Sequence, residues 1–257
     1  MSAASPAPML AVDAVTRRFG GLTAVDNVTT RVDAGELVGL IGPNGAGKTT
    51  LFNLISGVTP PSSGSVSFRG RTITGLKPFE VARLGIGRTF QNLRIFPNMT
   101  VFDNVSVGAI GRAPNRMRDA VLGGGALAAR IGEDSIRMLE KVGLAGAADE
   151  LAANLSYGRR KMLEIARALA GHPSLLILDE PAAGLNDTET ADLARFITTL
   201  RDEGLTILLV EHDMSLVMRI CTRVIVLASG RKIADASAAE VQRDPAVIDA
   251  YLGTDAE

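Results

Sequence analysis

The amino-acid sequence predicts an α/β fold built on a mostly parallel sheet, and three observations carry that expectation. A short apolar run, Leu37-Val38-Gly39-Leu40-Ile41, ends in a glycine-rich turn and passes into Lys48-Thr49-Thr50-Leu51-Phe52-Asn53-Leu54-Ile55, whose apolar residues have helical spacing. Two further runs, Ser174 to Leu178 and Thr206 to Val210, are apolar without alternation, the pattern of strands covered on both faces by helices. Between those runs Leu193, Phe196, Ile197 and Leu200 recur at i, i+3, i+4 and i+7, so the connection reads as a crossover helix.

The remaining elements follow from local signals. Asn186 followed three residues later by Glu189 resembles a capping box at the start of the crossover helix. Val224 to Leu227, a Ser229-Gly230 turn and Lys232 to Ala234 read as a hairpin that closes the sheet. From about residue 92 to residue 153 the character changes, with clusters such as Gly123-Gly124-Gly125 and Ala145-Gly146-Ala147-Ala148, helical patterning and no strong strand run. That stretch is expected to form a helical subdomain inserted into a core of about 9–91 and 154–254, in one domain spanning 9–254. Arg112 to Arg118, with three arginines and a proline, reads as a solvated loop, and His172, between Gly171 and Pro173, as a turn residue.

Composition narrows the function. With 46% apolar and 21% charged residues over 257 positions, the chain can bury a core without disulfides and is not of a disordered class. The 27 basic and 28 acidic residues leave a net charge of −1, so no broad positive field exists and no nucleic-acid partner is expected. Cys221 is the only cysteine and lies among Leu216, Val217, Ile220 and Val224, as a core residue would. No apolar stretch approaches the roughly 18 to 20 residues that span a bilayer. Met1 to Pro8 lacks a basic segment followed by an apolar block, so a cytoplasmic location is expected, with any membrane role exercised through a partner.

Gly42-Pro43-Asn44-Gly45-Ala46-Gly47-Lys48-Thr49 fits G-x-x-x-x-G-K-[ST] between a strand and a helix, the context in which that motif is a phosphate-binding loop. Its glycines let backbone N–H groups turn toward phosphate oxygens at a helix N-terminus, Lys48 reaches the β- and γ-phosphates, and Thr49, followed by Thr50, offers a hydroxyl to Mg²⁺. Leu175-Leu176-Ile177-Leu178-Asp179-Glu180 delivers two adjacent carboxylates at the end of a buried strand. Adjacent strand residues point opposite ways, which assigns Asp179 to the Mg²⁺ shell and Glu180 to the attacking water, as base or orienting group. These two motifs alone leave kinases, GTPases and helicases open.

Leu155-Ser156-Tyr157-Gly158-Arg159 precedes an apolar-periodic helix carrying Met162, Ile165, Ala166 and Leu169, about twenty residues before the Asp-Glu pair. This segment resembles the signature motif of ABC ATPases, L-S-G-G-Q, from which it departs at Tyr157 and Arg159. Ser156 can cap the helix and Gly158 allows close approach of backbone to phosphate. An aromatic at the place of Tyr157 is similar to the ATPases of branched-chain amino acid importers, as are Gly85 to Gln91, Glu180 to Asn186, Glu211 to Met214 and Val247 to Gly253. Gln91 stands where the family places a glutamine that senses Mg²⁺ and water, with a surface amide as the plain alternative. His212 stands where the family contacts the γ-phosphate, with an ordinary loop histidine as the alternative. Phe19 matches the aromatic that stacks on adenine, with core packing as its rival, and Asn186 replaces the family's usual aspartate.

The resemblance runs from about Leu10 to Gly253 and implies a P-loop NTPase (RecA-like) core with an antiparallel β subdomain and an inserted helical subdomain. It implies ATP and Mg²⁺ as ligands, with Glu180, His212 and Gln91 catalytic and Thr49, Gln91 and Asp179 around the metal. It further implies a head-to-tail dimer with a second ATPase subunit, homologous or identical, in which Ser156 and Gly158 of one subunit close over the ATP held by Lys48 of the other. Transmembrane permease subunits would be the direct partners and a substrate-binding protein an indirect one, the chain lying peripherally on the cytoplasmic face of the membrane. The region from Gln91 to Val105, with Phe96, Pro97 and Met99 as exposed candidates, would push on the membrane partner. The cargo does not touch this chain, so urea, another small amide or a lipid remain alternatives to branched-chain amino acids. A non-transport ABC ATPase is disfavoured because those usually carry long coiled coils or two ATPase domains in one chain.

Overall fold

The computed structural model describes residues 7–112 and 124–252. The expected loop beyond Arg112, Gly123, the first six residues and Gly253 lie outside the described residues. In chain order the elements are β1 (Leu10–Phe19), β2 (Leu22–Val32), β3 (Leu37–Ile41), α1 (Lys48–Ile55), β4 (Ser63–Phe68), β5 (Arg71–Thr72), α2 (Pro78–Leu84), β6 (Ile86–Arg88), α3 (Val101–Arg112) and α4 (Gly124–Lys141). They continue with α5 (Tyr157–Ala170), β7 (Leu175–Asp179), α6 (Asp187–Asp202), β8 (Thr206–Val210), α7 (Met214–Ile220), β9 (Arg223–Ala228), β10 (Arg231–Ala236), α8 (Ala238–Val241) and α9 (Pro245–Leu252). The chain divides into two compact units, one formed by residues up to Val81 together with those from Thr190 onward, the other by Ala82–Glu189.

In the first unit β3 runs parallel to β8, with Leu37 opposite Ile207, and parallel to β9, with Ile41 opposite Val226. Every residue of β3 and β8 is buried, which is why their sequences are apolar without alternation. Each such Leu, Ile or Val contributes about 1.5 to 3 kcal/mol by leaving water. β10 pairs antiparallel with β9, so the expected hairpin is present and slightly longer than its apolar run. Arg223 fastens it, its guanidinium lying 3.0 Å from both Glu36 and Asp235. A second sheet in this unit is antiparallel, in the order β2-β1-β4-β5. Cys221 is buried against Val217 and Gly39, and burial pushes its thiol up to about 12.

In the second unit β6 runs parallel to β7, with Ile86 opposite Leu175 and Arg88 opposite Ile177. Helices α3, α4 and α5 pack on one another, and the Ser106 and Ser135 hydroxyls, 3.0 Å apart, join α3 to α4. The capping box at the start of α6 is formed: Glu189 N–H donates to Asn186 Oδ1 at 2.9 Å and Asn186 N–H to Glu189 Oε2 at 3.1 Å. His172 sits in a turn at φ 44° with its ring 3.2 Å from Asp134.

The segment between β6 and α3 is held by Asn104, which is fully buried. Its side-chain amide donates to the carbonyls of Phe96 at 3.0 Å and Thr100 at 2.9 Å, and its Oδ1 accepts the Phe96 N–H at 2.8 Å. Phe96 and Pro97 are consequently displayed at the surface while Met99 is only half exposed. Asn104→Ala strips the donors from two part-buried carbonyls and is expected to destabilise the full chain by about 3 kcal/mol, read as a lowered urea midpoint. An unchanged midpoint would show that water replaces the amide at no cost.

Candidate functional site

In the first unit the loop from Gly42 to Gly47 connects the buried end of β3 to α1. Gly47 occupies the cap position of α1 at φ 97°, in the left-handed region, and a Cβ there would lie 2.4 Å from the Ala24 carbonyl. The loop is braced from behind. Gly230 N–H donates to Ala46 O at 3.1 Å, and Asp26 N–H donates to Gly230 O at 2.8 Å, so the β9–β10 turn and β2 together fix its path. Among the described residues no side chain caps α1, whereas Ser156 caps α5 and Asp213 caps α7. At the start of α1 the helix dipole favours negative charge.

Lys48 is buried, and its ammonium donates to Gly42 O at 2.6 Å and Pro43 O at 3.0 Å, so the cation is folded along the loop it would serve. Asn44, Gly45 and Thr49 are exposed, and Pro43, Gly47 and Thr50 are half-buried. Tyr251, on α9, meets the loop at Gly42; burial pushes its phenol up, opposed by a backbone hydrogen bond from Gly42. Phe19, at the end of β1, is 45% exposed, so core packing does not account for it, and the Arg17 guanidinium lies 4.4 Å from its ring centroid. His212 is exposed after β8 on a loop whose Asp213 side chain accepts the N–H groups of Ser215 and Leu216.

The second unit brings Gln91 and Glu180 together: Gln91 Nε2 donates to Glu180 Oε2 at 2.9 Å. Glu180 has φ 50°, a conformation that a residue with a Cβ rarely adopts. Asp179 is buried, its N–H donates to Thr89 Oγ1 at 3.3 Å, and its Oδ2 accepts from the Arg88 guanidinium at 3.1 Å. Burial pushes the Asp179 carboxyl above its ordinary range, and Arg88 partly opposes that shift. Nothing in the sequence signalled Arg88 as Asp179's partner; the parallel register that sets Arg88 opposite Ile177 brings them together.

Ser156 begins α5, its hydroxyl accepting the Arg159 N–H at 3.4 Å. A Cβ at Gly158 would lie 2.4 Å from Glu189 Oε1, so a carboxylate already rests against the first turn of this helix. Only a residue without a side chain leaves room for that carboxylate. Tyr157 is 45% exposed and packs beside Gly184.

Of the residues expected around Mg²⁺, the first unit holds Thr49, with a hydroxyl, and the second holds Asp179 and Gln91, with a carboxylate and an amide oxygen. These are hard oxygen donors of the kind Mg²⁺ takes, and one carboxylate suits an ion that arrives with phosphate ligands. Among the described residues no group of three or more His, Cys, Asp or Glu could hold a metal by itself. By the chemistry of their oxygen donors these residues fit an ion carried in with a nucleotide. No described helix is long and apolar enough to cross a membrane.

Comparison with known proteins agrees with this chemistry. The sequence model of the ABC transporter family matches residues 25–183, and one described as branched-chain amino acid ATP-binding cassette transporter matches residues 231–257. The chain belongs to the ABC transporter ATPase family. It is 44% identical over 250 residues to the high-affinity branched-chain amino acid transport ATP-binding protein LivG of Salmonella typhimurium, covering 96% of this chain and 98% of the relative. It is 42% identical over 261 residues to the corresponding protein BraF of Pseudomonas aeruginosa, with the same coverage. The lipopolysaccharide export system ATP-binding protein LptB of Escherichia coli is 35% identical over 242 residues, covering 94% of this chain and 95% of the relative. Among solved structures, a nucleotide-free ATP-binding cassette from an ABC transporter matches with a TM-score of 0.84 at 30% identity, over 95% of this chain and 99% of that one. A dimeric bacterial ABC transporter cassette matches with a TM-score of 0.77 at 26% identity, over 90% and 99%. The α/β P-loop fold expected from the sequence is the fold of these cassettes.

Proposed function

We propose that this chain is the ATP-hydrolysing motor of an importer for branched-chain amino acids, lying peripherally on the cytoplasmic face of the membrane against permease subunits. The observation that carries the hydrolytic part is the Gln91–Glu180 hydrogen bond, which sets an amide and a carboxylate where one water could be held and deprotonated. The loop N–H groups and Lys48 bind the phosphate chain, Phe19 stacks on adenine, and His212 contacts the γ-phosphate. Glu180 accepts the proton of the attacking water while Gln91 orients it, and the γ-phosphoryl group passes to that water with ADP leaving. Thr49, Asp179 and the Gln91 carbonyl would hold Mg²⁺, which when bound offsets charge on the β- and γ-phosphates.

A second ATPase subunit completes the arrangement, with its Ser156 and Gly158 covering the γ-phosphate from the open side. The likeness to a dimeric cassette supports this reading. For the cargo, support comes from the 44% identity to LivG and the match of residues 231–257, and the 35% identity to LptB supports lipid export as the second reading. The test is the membrane complex that co-purifies with this chain, rebuilt in vesicles with its binding protein. Leucine, isoleucine or valine is expected to raise ATP hydrolysis. Stimulation by urea or lipopolysaccharide with no response to these amino acids would overturn the cargo and leave the motor standing.

A further inference from the structure

Helix α5 carries two charged side chains buried as deeply as its apolar ones, Lys161 at 2% exposure and Glu164 at 3%. Charges survive in such places only when bonded, and the bonds these two make converge on the hydrolytic pair. Lys161 Nζ donates to the backbone carbonyl of Glu180 at 3.2 Å, and the same carbonyl accepts the Ala183 N–H at 3.2 Å. Both donors act on a residue whose φ of 50° is kept only where its surroundings enforce it. One turn along the helix, Glu164 Oε1 accepts the N–H groups of Phe90 at 3.4 Å and Arg94 at 3.3 Å, which bracket Gln91 in the chain. The Arg167 guanidinium stands 3.9 Å from the same oxygen, and Arg94 lies over the Phe90 ring at 4.8 Å, so the Gln91 loop is gripped on several sides.

We infer that Lys161 and Glu164 are positioning residues for hydrolysis, Lys161 fixing the backbone of Glu180 and Glu164 fixing the loop of Gln91, so that the 2.9 Å bond between them keeps its register. The inference rests on the hydrolytic roles proposed for Gln91 and Glu180. Its physical basis is that an apolar pair at these positions could fill the same space, as Leu163, Ile165 and Leu169 do elsewhere on α5, but could not set two backbones to a fraction of an ångström. It also ties the pair to the helix that Ser156 caps, so in the proposed dimer the element facing one nucleotide aligns the hydrolytic residues of the other.

The test compares Lys161→Met and Glu164→Leu with the conservative Lys161→Arg and Glu164→Gln in the full chain, measuring kcat per folded molecule, ATP affinity and nucleotide-free Tm. Removal of either bonding group is expected to lower kcat by about tenfold or more, with ATP affinity within about twofold of the parent, because misplacing a reacting group costs rate before binding. The conservative variants should recover most of that loss. Parent-like kcat in the Met and Leu variants, or conservative variants as slow as these, would overturn the inference, as would a loss accounted for entirely by unfolding. Glu180→Gln is run beside them. Normal turnover in that variant would fell the reading of Glu180 itself, whereas an inactive Glu180→Gln with a fully active Lys161→Met would fell only the present inference.

Discussion

Glu180→Gln is expected to bind ATP normally, to accumulate as an ATP-bound dimer, and to lose turnover by about 10²- to 10⁴-fold, the range that a positioned base supplies. The substitution is close to isosteric, and the glutamine oxygen can still accept the Gln91 Nε2 proton that Glu180 Oε2 accepts at 2.9 Å. The backbone requirement is also unchanged, since glutamate and glutamine meet the same steric cost at φ 50°. What disappears is the capacity to take a proton from water. Binding and closure precede that step, so the closed state should persist and elute as a dimer on gel filtration with ATP. A variant that eluted only as monomer and hydrolysed ATP at the normal rate would remove Glu180 from its assigned role.

The sequence made the loop from Gly42 to Thr49 and the carboxylate pair legible because their chemistry is local. A phosphate cradle needs its glycines, lysine and hydroxyl within eight consecutive residues, and a buried strand announces the side chains at its end. The same holds for the Asn186–Glu189 capping box, whose two bonds span three residues. Partners brought together by register were illegible. Arg88 meets Asp179 across 91 positions, and Lys161 and Glu164 reach residues 19 and 70 or more positions away. Helical periodicity shows that positions 161 and 164 lie near the apolar stripe of α5, which reads as an error in the pattern until the backbone groups they bond are known. Buried polar residues that break an apolar stripe were the available signal, and Asn104 is a third example of it.

Lys48→Ala is expected to act one step earlier than Glu180→Gln and to abolish ATP binding at ordinary concentrations. Lys48 is buried, and its ammonium is held by Gly42 and Pro43 carbonyls. A nucleotide would gain this cation already desolvated and aimed along the loop, so little ordering cost remains when it transfers to phosphate oxygens. Charge-assisted hydrogen bonds contribute about 1.5 to 3 kcal/mol each, so losing those to two phosphates should weaken binding by about 100-fold or more. The N–H groups at the start of α1 would remain, and their dipolar contribution of about 0.3 to 1 kcal/mol cannot compensate. The measurement is the Tm with and without ATP. A binding-competent chain gains about 2.7 kcal/mol at 100 times its Kd, a shift that Glu180→Gln should keep and Lys48→Ala should lose. Equal ATP-induced shifts in the two variants would mean that the phosphates are held elsewhere than by the loop from Gly42 to Thr49.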